Sequence, residues 1–105
     1  MQDVVYAAAD GLQVMLYVHT WRDHIQPRHP EVTLSDIERA LIGPVRICNH
    51  RSYVDQQIYE RPPGTTTLGC GIFPVVIVAR RSNQAGTVVT ARVSRRLYRG
   101  AQRWP

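Results

Sequence analysis

Histidine and arginine are the side chains in this sequence best suited to chemistry on a phosphate. Histidine titrates near neutrality and serves as either acid or base. Arginine is a poor base but matches phosphate bidentately. His24, Arg28 and His29 fall within six residues, with Pro27 between the two histidines. A regular helix does not put residues five apart on one face. A bend at Pro27 is therefore needed to bring both imidazoles to one cleft, with Arg28 as a phosphate ligand. Each histidine also has a plainer reading, in which it ties down a helix end. His19 reads as a strand-end residue that caps or packs. His50 lies in a polar loop, Asn49-His50-Arg51-Ser52-Tyr53, where it has a weaker claim to contact a ligand.

A second group lies on strand-like segments. Thr90 and Arg92 alternate onto one face of the run 87–94, and Tyr59 and Arg61 share a face of 56–61. If these two strands are neighbours, threonine and tyrosine hydroxyls and two guanidinium groups converge, and all four can hydrogen-bond a phosphate. Arg96 extends the basic set into the tail. Tyr98 and Trp104 can stack on bases or pack in the core.

Charge distribution says what such groups face. All 13 basic residues are arginine, and the formal net charge is +5. Residues 1–43 hold three arginines against six acids; residues 44–105 hold ten against Asp55 and Glu60 alone. A one-sided basic half points to a polyanion, most often nucleic acid, or to an acidic protein partner. Cys48 and Cys70 have no CxxC spacing, so buried free thiols are expected rather than a disulfide framework. The histidine spacings fit no standard zinc site. Gly64, Gly69 and Gly71 lack the pattern of a phosphate loop. No cofactor is expected. The first residues lack a basic, apolar leader, and no apolar run reaches the ~20 residues of a membrane span, so a cytoplasmic protein is expected.

The elements that must position these groups can be read in order. Val4–Ala9 and Leu12–Val18 flank Asp10-Gly11, a hairpin signal. A short helix capped by Thr20 runs to about Gln26 and is broken or bent by Pro27 and Pro30. A second helix carries Leu34, Ile37 and Leu41 on one side, with Ser35-Asp-Ile-Glu38 as its capping box and Thr33 as the alternative cap. Gly43-Pro44 ends it. Strands follow at 45–48, 56–61 (stopped by Pro62-Pro63-Gly64), 72–79 and 87–94. The tail, 95–105, forms a short helix or strand. Early helices and late strands predict a single α+β domain over 1–105. In it a hairpin and two helices pack on a roughly four-stranded antiparallel sheet.

Several segments, in order, resemble the barnase/EndoU/colicin/RelE-like nucleases of phages and bacteria. His24-Ile25 with Arg28-His29-Pro30-Glu31 resembles their "HI…RHPE" segment. Ile37, Leu41 and Gly43-Pro44-Val45 resemble "I…tI..PD.V", with Val45 in place of Asp. Ile58-Tyr59-Glu60-Arg61 resembles "YyR", and Val75–Val78 resembles the central "VVVV" strand. Val88–Arg92 resembles "viTAY", with Arg92 in place of Tyr, and Arg99-Gly100 with Trp104 resembles the closing "kkG…lW".

The resemblance implies a small RNase fold, a metal-independent endoribonuclease and often a toxin. In such enzymes the RNA 2′-hydroxyl attacks the adjacent phosphate to give a 2′,3′-cyclic phosphate. It implies RNA as substrate and an acidic antitoxin or immunity protein as partner. His24, His29, Thr90 and Tyr59 become the catalytic candidates, and Arg28, Arg61, Arg92 and Arg96 the RNA-binding ones. The alternative is a non-catalytic RNA- or protein-binding module, or an inactive relative, a reading to which Val45 and Arg92 lend weight.

Overall fold

In the computed structural model, residues 1–61 and 71–105 are described. The Pro62-Pro63-Gly64 stop, Gly69 and Cys70 lie outside the described residues. Among the described residues seven strands form one mixed sheet: β1 (Val4–Ala7), β2 (Gln13–Leu16), β3 (Arg46–Asn49), β4 (Gln56–Glu60), β5 (Phe73–Arg80), β6 (Ala85–Ser94) and β7 (Gln102–Trp104). Their order is β1-β2-β6-β5-β4-β3-β7. This corrects the expected four-stranded antiparallel sheet with a separate hairpin.

The hairpin is part of the sheet, because β2 pairs in parallel with the start of β6. Leu12, Val14 and Leu16 are buried on one face of that hairpin. A two-stranded hairpin cannot bury such a row alone, and docking beside β6 does so. The tail supplies the other edge, β7, paired antiparallel with β3. Gly100 permits this docking: a Cβ there would collide with the Asn49 carbonyl oxygen. The Asn49 N–H donates to the Ala101 carbonyl at 2.9 Å.

Helical segment α1 spans 18–28 and contains a π-helical turn, Trp21–Ile25. It starts at Val18, two residues before Thr20, which makes no side-chain cap. The Asp3 carboxylate instead accepts the Val18 N–H at 2.8 Å. Pro27 does not break the segment. Proline lacks an N–H and crowds the carbonyl four residues back; the wide turn, with the Gln26 N–H donating to Trp21, stands just ahead of it. Helix α2, Leu34–Ile42, is capped by Thr33, not through Ser35 and Glu38. Thr33 Oγ1 accepts the Asp36 N–H at 3.1 Å, and the Asp36 carboxylate accepts the Thr33 N–H at 3.0 Å. No helix among the described residues is long and apolar enough to cross a membrane.

Strand register divides the side chains between two faces. Ile47, Tyr59, Val76 and Ala91 are in register across β3, β4, β5 and β6. With Val14, Leu16 and Val78 they meet Trp21, Ile25, Ile37 and Leu41 of the helices in the main core. The opposite face carries Arg46, Glu60, Val75 and Arg92 in one row. It also carries a smaller cluster of Ile58, Phe73, Val75 and Ile77, against which Val89 and Tyr98 pack. A β-bulge sets which β6 residues fall where: Ile77 pairs with Thr90 but Val78 with Val88. The extra residue, Val89, resets the alternation. Val88 therefore points to the helices, although strict period-two reading puts it with Thr90 and Arg92.

Candidate functional site

The open face of the sheet holds a cleft of about 220 Å³ whose lining includes Arg51, Glu60, Arg92, Ser94, Arg96, Tyr98 and Arg99. Its floor is the part of the open-face row on β4, β5 and β6, where Glu60, Val75 and Arg92 lie in register. Glu60 ends β4 fully buried. One of its carboxylate oxygens accepts Arg46 Nε at 2.8 Å, with Cys48 Sγ at 3.7 Å. The other accepts the Tyr98 backbone N–H at 2.8 Å. Arg46 also donates to the Tyr98 carbonyl oxygen. Buried charges persist when paired and hydrogen-bonded. Glu60 and Arg46 therefore neutralise each other and pin segment 95–101 onto the sheet.

That anchoring sets the electrostatics. Among the described residues Glu60 is the one carboxylate in the lining, and Arg46 answers it. The guanidinium groups of Arg51, Arg92, Arg96 and Arg99 make no ion pair or side-chain hydrogen bond with the described residues. Arg92 stands two strand spacings from Glu60, roughly 10 Å across the sheet. Four cations thus surround a depression whose acid is already matched, which is the arrangement for a multiply charged anion. Cys48, beneath it, is buried. Burial pushes its thiol above the ordinary range, and Glu60 adds to this while Arg46 opposes it. It is the less nucleophilic for that.

Tyr98 lines the cleft. Its backbone is held at Glu60, and its hydroxyl accepts the Arg51 N–H at 2.9 Å. Its ring lies 5.8 Å from that of His50. His50 Nδ1 accepts the N–H groups of Ser52 and Tyr53, at 3.0 and 3.2 Å. With Nδ1 an acceptor, the neutral ring carries its proton on Nε2 and presents a donor.

The residues singled out in the sequence divide between the two faces. Arg92 and Arg96 line the cleft, and Thr90 lies on the same face, its buried Oγ1 without a hydrogen-bond partner among the described residues. His24 and Arg28 belong to α1, on the helix-covered face, and His29 follows directly, 3.9 Å from Glu31. Tyr59 faces the helices too, because β5 separates β4 from β6 and the register pairs Tyr59 with Val76 and Val76 with Ala91. The expected convergence of Tyr59 with Thr90 and Arg92 does not occur.

Tyr59 is fully buried. Its hydroxyl donates to Asp10 at 2.9 Å and receives Gln57 Nε2 at 2.6 Å. Arg103 and Arg80 donate to Gln57 Oε1 at 2.8 and 3.3 Å. Burial, reinforced by Asp10, pushes the Tyr59 hydroxyl well above its usual range. This network ties the β1–β2 turn and β7 to the middle of the sheet. Arg61 donates to the Gly43 carbonyl oxygen at the end of α2, and its buried Nε has no hydrogen-bond partner among the described residues.

Sequence reading does not single out Glu60, Arg46, Arg51 or Arg99 for this cleft; His50, given a weaker claim there, stands beside Tyr98. One signal is present: Glu60 is one of only two acids in a half with ten arginines. A lone acid on a strand there has reason to be buried and paired. No family model, no curated protein and no solved structure matches this chain.

Proposed function

We propose that this chain binds RNA through the open-face cleft. The observation that carries the reading is the set of four guanidinium groups, from Arg51, Arg92, Arg96 and Arg99, left without carboxylate partners among the described residues around one concave surface. Arginine meets phosphate with two parallel hydrogen bonds and stacks on exposed bases. The resemblance drawn from the sequence supplies the choice of RNA among polyanions. Binding is favoured over cleavage because His24 and His29 belong to the helix-covered face, away from these arginines.

The endoribonuclease reading is kept on one observation: His50 touches Tyr98 at the cleft with Nε2 free to donate. An acidic protein, such as an antitoxin, would compete for the same cations.

One experiment separates the readings. Total RNA is incubated with the protein in excess EDTA, and binding and chain cleavage are followed together, beside Arg92→Gln/Arg96→Gln and His50→Ala variants. The binding reading expects retention of intact RNA that falls in the arginine variant. Cleavage abolished by His50→Ala would move the assignment to an endoribonuclease. Absence of RNA binding by the folded wild type would overturn both.

A further inference from the structure

We propose that the RNA taken by the cleft is single-stranded and that one of its bases stacks on Tyr53; this rests on the cleft reading above. The loop between β3 and β4 carries an aromatic series that leads out of the cleft. Tyr98 lines the cleft, His50 lies 5.8 Å from it, and Tyr53 lies 4.9 Å beyond His50. The Tyr53 ring meets His50 at a 54° tilt, yet the residue is 58% exposed. Val54 beside it is fully exposed. Apolar side chains at a loop tip gain nothing from water and are available to a flat apolar partner.

The loop is set in place before any ligand arrives. His50 Nδ1 accepts two backbone N–H groups from within it, and the Arg51 N–H is fixed on the Tyr98 hydroxyl. A ring held this way loses little freedom on binding.

Charge stands at one end of this path and an exposed ring at the other. Arg51 and Arg99 stand at the cleft beside Tyr98, and Tyr53 stands outside it. A single strand offers phosphates and unstacked base faces together, and matches such a path. A duplex buries its base faces in its own stack and offers only backbone to the same surface. Duplex binding would use the arginines and leave Tyr53 idle.

The test measures binding of a short unstructured RNA labelled with fluorescein, alone and annealed to its complement, by fluorescence anisotropy. Wild type, Tyr53→Ala, Tyr53→Phe and Arg92→Gln/Arg96→Gln proteins are compared, each checked for an unchanged thermal midpoint. Expected are about 10-fold tighter binding of the single strand, about 10-fold loss of that affinity in Tyr53→Ala, and retention in Tyr53→Phe. Equal affinity for both forms, with Tyr53→Ala like wild type and binding lost in the arginine variant, overturns the inference while the cleft reading stands. No binding of either form by the wild type overturns both.

Discussion

On the helix-covered face, Tyr59, Gln57, Asp10, Arg80 and Arg103 satisfy one another around a buried hydroxyl. On the open face, Glu60 takes Arg46 and the Tyr98 N–H, and four further arginines around it have no such partner among the described residues. The two faces use the same side-chain types. The difference lies in whether the protein's own groups exhaust the hydrogen-bonding capacity. Where they do, polar residues fix the fold, since a fully satisfied buried network is rigid. Where cations are left over, they are open to an outside anion, which is what the proposed function requires.

Substitutions probe this contrast between the faces, with the largest effect expected at Glu60. Glu60→Ala leaves Arg46 unanswered and frees the Tyr98 N–H. A loss of about 3 kcal/mol is expected in urea unfolding, typical of a buried pair stripped of one partner. Arg92→Ala, on the same row, is expected to change stability by less than about 0.5 kcal/mol while weakening RNA binding. If the two variants lost similar stability, Arg92 would be structural and the cleft reading would weaken.

On the covered face, Tyr59→Phe removes a hydroxyl between Asp10 and Gln57. It should lower stability by about 1–2 kcal/mol and leave RNA affinity unchanged. It should also change the alkaline limb of stability. Tyr59 holds its proton more tightly folded than unfolded. Its contribution is whole below the ordinary tyrosine range near 10 and is lost as pH rises from there towards the folded value. Cys48 acts the same way from about pH 9. Stability should therefore fall above about pH 9 in the wild type, and less steeply in Tyr59→Phe, as thermal midpoints across that range would show. Smaller still, Thr33→Ala removes the α2 cap and should cost about 1 kcal/mol.

Much of the layout is legible in the residues. Asp10-Gly11 marks the hairpin turn, and Gly11 has φ +91° there. The apolar run 72–79 marks the central strand, whose residues 73–79 are buried. What period and propensity cannot express is which strand pairs with which. The β2–β6 pairing joins segments some 70 residues apart, and the Val89 bulge reverses the side of Val88 relative to Thr90. Placing Tyr59 beside Thr90 requires β4 to neighbour β6, but β5 lies between them, and the register Tyr59–Val76–Ala91 puts Tyr59 and Thr90 on opposite faces. Arg92 is legible as an open-face residue because it alternates with Thr90 along 87–94, whereas the acid-free stretch alone does not separate Arg96 from Arg99. Glu60 is not legible, because its role emerges only once Arg46 and Tyr98 are folded against it.

If RNA meets the open face rather than the helix-covered one, salt will reveal it. The measurement is the salt dependence of single-stranded RNA affinity in wild type, Arg92→Gln/Arg96→Gln and Arg28→Gln proteins. Each arginine–phosphate pair removed should reduce the slope of log affinity against log salt by about 0.7. A shallower slope and weaker binding are expected in the double variant, with Arg28→Gln like wild type. A slope unchanged by the double variant but reduced by Arg28→Gln would contradict the open-face reading and move the interface to the helices.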